Sequence, residues 1–268
     1  MTLRLQAGVC SDVGTFRENN QDAAFAAPWA AGVADGVGGG PAGDLASAAL
    51  VHGLISGGRR CEDAVELATR VRMANWDLGA HVRRDPTLQG MATTFTGLWF
   101  TPEGVLLLAH TGDSRAYLAR DGRLTRETRD DSFVQALVDQ GLVRAEDAAS
   151  HPRRNMITAS LRGEETDLVR VDEREARVGD RWMLCSDGIS DYLPDEDIKA
   201  LVTGIQDPSA AARRLVELAL EAGSRDNVTA VVCDLTDGPE PSHAVPLVAG
   251  SATERFPEVF EEGLAATA

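Results

Sequence analysis

Five aspartates sit where apolar stretches begin or end. They are Asp22 in "RENNQD", Asp35 in "VADGVGGG", Asp113 in "AHTGDSRAY", Asp187 in "LCSDGISDYL" and Asp226 in "GSRDNVTAVV". Taken singly, an aspartate and glycine after a strand make an ordinary turn signal. Taken together they suggest a metal site, because stacked antiparallel strands gather their ends at one rim. Carboxylates about 4 Å apart repel by roughly 4 kcal/mol per pair at an effective dielectric near 20. Such an array persists when cations lie between its members. Oxygen-only ligands favour Mg²⁺ or Mn²⁺. No histidine or cysteine shares the pattern, which argues against zinc.

The stretch "GGGPAG" at 38–43 fits the phosphate-binding spacing G-x-G-x-x-G. A dinucleotide site also needs a following strand closed by an acid. Here Glu62 and Asp63 open a helix instead, and Asp35 would face the pyrophosphate. Glycines also let backbone carbonyls approach a cation closely, which agrees with Asp35-Gly36 as a metal-binding strand end.

The elements that would position these groups follow from periodicity. Leu3 to Cys10, Asp22 to Ala27 and Trp29 to Ala34 read as strands. Asp44 to Ile55 and Glu62 to Arg84 read as helices. In the second, Ala64, Ala68, Val71, Asn75, Leu78 and Val82 recur three and four apart as a buried stripe. "MATTFTGLWF", "GVLLLAHTGD" and "SRAYLARDGRL" then read as consecutive antiparallel strands, with Asp121-Gly122 as a hairpin turn. Ser132 to Gly141 is expected as a helix and "RAEDAASHPRRNMITASLRG" as an irregular segment. Two strands in "DLVRVDEREARV" and "DRWMLCSD" lead to helices at Asp195 to Thr203 and Pro208 to Ala222, the latter N-capped by Asp207. "NVTAVVCDL" reads as the last strand. After about Thr236 the composition turns to proline, small residues and acids. This predicts a largely disordered tail over 237–268, in which "AVPLV" is the one run suited to dock. The order lacks the strict alternation of a doubly wound sheet.

Bulk properties narrow the partners. The 268-residue chain carries a formal charge of −16, which disfavours nucleic acid and anionic membranes. No apolar run spans a bilayer, and no basic segment with an apolar core opens the chain. The four cysteines form no C-x-x-C pair and read as free thiols, mostly buried, in a reducing compartment.

The stretches "RENNQD", "VADGVGGGPAGDLAS", "MATTF", "AHTGDSRAYLARDGRL", "DDSFVQALVDQGLV", "HPRRNMITASL", "LCSDGISDYL" and "SRDNVTAVV" occur in this order between residues 4 and 235. In them the chain resembles the PPM/PP2C metal-dependent protein serine/threonine phosphatases in their compact bacterial form. The resemblance implies an α+β fold, a four-layer α-β-β-α sandwich of two mainly antiparallel sheets with flanking helices. The catalytic domain would cover 1–236, with a substrate-facing flap at about 131–162. Two core Mn²⁺ or Mg²⁺ ions are implied, and a third as in bacterial relatives. Asp35 would bridge the core pair, the Gly36 carbonyl would ligate one ion, and Asp187 and Asp226 would complete the set. Asp22 would hold metal-bound water or ligate weakly. Asp113 with Asp187 would hold the third ion, and Arg17 would contact the substrate phosphate. Arg17, Asp35 and Asp187 are thus the expected catalytic residues.

The implied activity is hydrolysis of phosphoserine and phosphothreonine on proteins, opposing a bacterial Ser/Thr kinase that is itself a candidate substrate. A cytoplasmic monomer is expected, with neither nucleic acid nor membrane as partner. The motifs begin by residue 12, which suggests a stand-alone catalytic unit. Two alternatives are a pseudophosphatase that binds phosphoproteins and a phosphatase dedicated to one regulator, such as an anti-sigma-factor antagonist. Val37 stands where many eukaryotic relatives carry a histidine proposed as general acid, and Gln21 where the family often has glutamate. Arg153 and Arg154 are expected either to meet acidic or phosphorylated substrate or, as surface arginines, to be solvated or to anchor the flap through an ion pair, and His110 to be structural.

Overall fold

The computed structural model describes residues 2–37, 42–56, 60–239 and 244–256. Its strands are β1 (Leu3–Asp12), β2 (Asp22–Ala27), β3 (Ala30–Val37), β4 (Ala92–Thr93), β5 (Phe95–Phe100), β6 (Leu106–Thr111), β7 (Arg115–Arg120), β8 (Arg123–Arg126), β9 (Arg170–Arg174), β10 (Arg181–Cys185), β11 (Val228–Asp237) and β12 (Leu247–Gly250). Its helices are α1 (Gly43–Ser56), α2 (Ala64–Arg84), α3 (Phe133–Asp139), α4 (Asp187–Ser190), α5 (Asp195–Gly204), α6 (Pro208–Glu221) and α7 (Ser251–Arg255). One sheet runs β1-β11-β10-β7-β8. The other runs β12-β2-β3-β5-β6-β9, with β4 extending the β3 edge. Every pairing among these strands is antiparallel.

Alternation along each strand builds the four layers. On β2, Ala24 and Ala26 face the space between the sheets, while Ala23, Phe25 and Ala27 pack outward under α1 and α2. On β10, Trp182 and Leu184 enter the same inter-sheet core, and Met183 and Cys185 pack outward under α5 and α6. With period two, neither face can turn to solvent without exposing the other set of apolar groups. The result is three apolar slabs between four layers, the expected α-β-β-α sandwich.

Local signals explain the element ends. Asp63 and Asp207 cap α2 and α6, each carboxylate accepting a backbone N–H three residues on. Asp121 at φ 52° and Gly122 at φ 73° form the β7–β8 hairpin turn, as Asp-Gly predicts. The buried stripe of α2 is Leu67, Val71, Ala74, Asn75 and Leu78, so the expected Ala64, Ala68 and Val82 lie at its margin.

Two readings change. The strands expected as one consecutive antiparallel set are split, since β6 belongs to one sheet and β7 to the other. The chain crosses between them at Gly112 (φ 103°), where a Cβ would stand 2.6 Å from the Thr94 side chain. Alternation reports which face a residue takes but not which sheet it joins. Second, part of the expected disordered tail is ordered: β12 pairs with β2 and α7 follows it. A short edge strand after a proline carries little period to read. Residues 257–268 of that tail lie outside the described residues. The glycine turn at 38–41 also lies outside them.

Leu184 is fully buried between the sheets. Leu184→Ala is expected to destabilise the fold by about 2–5 kcal/mol. Thr203→Ala, at the exposed end of α5, should stay within about 0.5 kcal/mol of the parent. Urea unfolding followed by circular dichroism measures both.

Candidate metal centre

The β2–β3 register sets Asp22 directly opposite Asp35. Each is locked from the backbone side. Asn227 accepts the Gln21 N–H at 2.8 Å on Oδ1 and donates from Nδ2 to the carbonyls of Val13 (2.9 Å) and Asn19 (3.0 Å). This clamps the loop that carries Arg17 against the turn that carries Asp226. The Asp35 N–H donates to Thr94 Oγ1 at 3.1 Å, and its carbonyl accepts the Thr94 N–H at 2.8 Å and the Thr93 hydroxyl at 3.0 Å. Asp113 lies in the crossover between the sheets, Asp187 at the start of α4 and Asp226 just before β11. Ser186 joins the layers: its hydroxyl donates to Asp22 Oδ2 at 2.7 Å and accepts the Thr229 N–H at 3.1 Å.

These elements open one cleft of about 510 Å³. Arg17, Asp35, Gly36, Asp113, Asp187 and Asp226 line it, together with Gln21, Val37 and the flap residues 155–160 and Arg162. Six of the seven expected site residues therefore meet at one surface. The seventh, Asp22, lies beneath it, 1% exposed. Gly36 is sterically required, since a Cβ there would collide with the Gly43 and Gln21 carbonyls.

Among the described residues, no three carboxylate, histidine or cysteine side chains already close on a common point. Two acids instead hold neutralising partners. Arg17 Nη2 donates to Asp226 Oδ2 at 2.6 Å, and Asp22 takes the Ser186 hydroxyl.

The electrostatics report crowded negative charge. Burial, and then the charges of Asp22, Asp187, Asp113 and Asp226, push the Asp35 carboxyl well above its ordinary range. Burial, then Asp113 and Asp226, does the same to Asp187. Asp113 rises to about 7, through burial and then Asp130 and Asp191. Asp22 rises to about 6, chiefly through burial, although bonds from Thr229 and Ser186 oppose the rise. Among the described residues lining the cleft are four aspartates and several neutral oxygen-bearing side chains, with no histidine or cysteine. A hard divalent cation such as Mn²⁺ or Mg²⁺ suits this set, because it relieves the repulsion and accepts oxygen ligands.

Around the centre, the flap is hooked at its base. Leu161 and Thr93 exchange backbone bonds of 2.9 and 3.0 Å, and Thr158 N–H reaches the Asp131 carbonyl at 2.7 Å. Arg154 reaches Asp191 at 3.6 Å, and the Arg153 guanidinium sits 5.3 Å from the Phe133 ring centre. Arg154 thus makes the expected anchoring ion pair, while the Arg153 contact lies within the flap. His110 is buried between Thr96 Oγ1 and the Arg129 carbonyl, each 2.9 Å away, and is structural as expected. All four cysteines are free, Cys10 alone being part-exposed. The sequence reading did not single out Thr93, Thr94, Ser186 and Asn227. Ser186 and Asn227 each adjoin an acid, in "CSD" and "DN", a pattern too common in loops to stand out, and Thr93 and Thr94 in "ATTF" have no acid beside them.

The raised carboxyls fix the sign of a pH effect. Between the ordinary aspartate range near 4 and about 7, the folded metal-free protein holds protons at Asp22 and Asp113 that the unfolded chain releases. Their contribution to stability therefore falls as pH rises through that window. Asp35 and Asp187 act in the same direction. Asp187→Asn is expected to raise the Tm of the EDTA-treated protein at pH 7.5, and the gain should fade toward pH 4. Scanning calorimetry across pH checks this.

Comparison with known proteins agrees with this construction. The family model described as protein phosphatase 2C matches residues 17–222. The chain is 43% identical over 259 residues to the serine/threonine protein phosphatase PstP of Mycobacterium tuberculosis, covering 94% of this chain and 49% of that protein. It thus spans about half the length of that relative. The serine/threonine phosphatase stp of Listeria monocytogenes is 29% identical over 209 residues, covering 75% of this chain and 82% of that one. The crystal structure of M. tuberculosis PstP/Ppp superposes with a TM-score of 0.82 at 43% identity, covering 87% of this chain and all of that one. The PstP catalytic domain in complex with two manganese ions gives 0.79 at 41% identity, covering 88% of this chain and all of that one. The chain belongs to the protein phosphatase 2C family.

Proposed function

We propose that this chain hydrolyses phosphoserine and phosphothreonine on proteins with the help of divalent metal ions. The observation that carries the reading is the cleft itself: a guanidinium stands beside carboxylates whose charge only cations can balance. Asp35, the Gly36 carbonyl, Asp187 and Asp226 would hold two ions. Asp113 with Asp187 would hold a third, and Asp22 would steady the floor beneath them. When bound, Mn²⁺ or Mg²⁺ supplies positive charge for the phosphoryl oxygens and lowers the pKa of the attacking water. The two manganese ions of the PstP catalytic domain support this assignment.

The chain's own residues bind, orient and exclude. The Arg17 side chain is 45% exposed and spends one nitrogen on Asp226. The remaining N–H groups of its planar fork suit two phosphoryl oxygens at once. Among the described residues, neither nucleophilic side chain just before Asp187 is placed to attack. Cys185 is fully buried, and burial pushes its thiol up to about 12. The Ser186 hydroxyl is spent on Asp22. Direct attack by water fits this inventory better than a phosphoenzyme. Val37 offers no proton at the cleft, so water would protonate the leaving serine or threonine oxygen. The flap supplies residues 155–160 and Arg162 to the mouth, where they would touch the peptide around the phosphoresidue.

Phosphorylated proteins, a serine/threonine kinase among them, are the proposed substrates of a monomer acting in the cytoplasm. Among the described residues no helix is long and apolar enough to cross a membrane.

The wild-type chain with Mn²⁺ is expected to release phosphate from a phosphothreonine peptide, and EDTA should abolish release. Arg17→Ala should lower kcat/KM by about 10²–10³, the scale for losing one charge-stabilising donor. A steady-state malachite-green assay decides both. Phosphate release that survives EDTA, or its absence with Mn²⁺ present, would overturn the reading.

A further inference from the structure

The segment after the family-matched region reaches the metal centre from behind. β12 adds to β2 in the register Gly250↔Ala23, so its end lies beside Asp22. The next residue, Ser251, is fully buried. Its hydroxyl lies 3.0 Å from the Asp22 carbonyl and 2.8 Å from the Ser47 hydroxyl of α1, and shares its single proton between them. Ser47 in turn donates to the Gln21 carbonyl at 2.5 Å. That same carbonyl accepts the Gly36 N–H at 3.0 Å. Two residues expected at the metal ions, Asp22 and Gly36, thus have their backbones tied to a serine more than 200 positions later in the chain.

Two further contacts seat the segment. Gly250 has φ 70°, and a Cβ there would strike the Asp22 carbonyl. Glycine is what lets the chain pass so close to an acid of the site. Arg255 Nε donates to Asp44 Oδ2 at 2.8 Å. Asp44 lies in the first turn of α1 with its side chain 8% exposed, and its other oxygen has no partner among the described residues. Arg255 is therefore the cation that balances a buried charge at the start of α1. The His52 and Phe256 rings stack at 4.8 Å, and Ala252 enters the outer core.

We infer that Ser251 and Arg255 are positioning residues of the metal centre: the β12–α7 segment sets the β2–β3 hairpin and α1 at the spacing the ions require. The inference rests on the metal reading above. The physical reason is that a carboxylate site binds tightly only when its ligands are held before the ion arrives. Supporting groups that orient ligands typically change metal affinity by about 10–100-fold.

The test is calorimetric titration of Mn²⁺ into the EDTA-stripped 268-residue chain, with Tm recorded in parallel. Ser251→Ala is expected to weaken Mn²⁺ binding about ten-fold, within the range of such supporting groups. Arg255→Ala, at a half-exposed side chain, should weaken it in the same direction, and it carries the test alone if Ser251→Ala does not fold. Val202→Ala, in the core outside the other sheet, should lower Tm and leave Mn²⁺ affinity unchanged. Wild-type affinity in both segment variants overturns the inference while leaving the metal reading intact. An equal loss of affinity in Val202→Ala reduces the effect to general destabilisation and overturns it too. A wild-type chain that takes up no Mn²⁺ removes the metal reading, and this inference with it.

Discussion

Mutual repulsion among aspartates at one rim of the sandwich is the constraint on which the site depends. Asp35 and Asp187 are each pushed far up by burial and by neighbouring acids, and Asp22 and Asp113 follow them. A fold selected for stability alone would separate these groups or replace them with amides. Holding them together costs stability when no cation is present, and that cost is recovered only by something positive entering the cleft.

What resists the repulsion is a layer of neutral hydrogen-bonding groups directly behind the acids. Thr93 and Thr94 grip the backbone of Asp35, Asn227 ties the Arg17 loop to β11, and Ser186 bridges Asp22 to Thr229. Each bond is modest, about 0.5–1.5 kcal/mol net, yet each acts on a backbone already fixed in a sheet. The sheets hold the acids, while the flap is hooked at its base and by the Arg154–Asp191 ion pair and carries more exposed residues. This division would suit the proposed activity, in which ions need fixed ligands and substrates arrive on varied peptides.

Much of this was legible before any coordinates. Short apolar and β-rich runs between turns marked the strands, Asp121-Gly122 the hairpin, Asp207 the cap, and the five aspartates the candidate site. What escaped were relations between distant segments. The alternation of β6 and β7 is equally good for one sheet or two, and the choice rests on Gly112 passing close to Thr94. The strand at Leu247–Gly250 is four residues long and lies in a proline-bearing stretch. It becomes a strand because the β2 edge offers it partners, a tertiary effect that local propensity cannot carry. Ser186 and Ser251 were invisible for a related reason: a serine matters only through what packs against it.

The central claim is that Asp35, Asp187 and Asp226 enclose divalent ions at the mouth of the cleft. Anomalous diffraction from crystals soaked in Mn²⁺ tests it most directly. The account predicts two strong manganese peaks, with Asp35 between them and Asp187 and Asp226 each bound to one. A map with no peak among these residues, or with manganese only elsewhere on the surface, would contradict it.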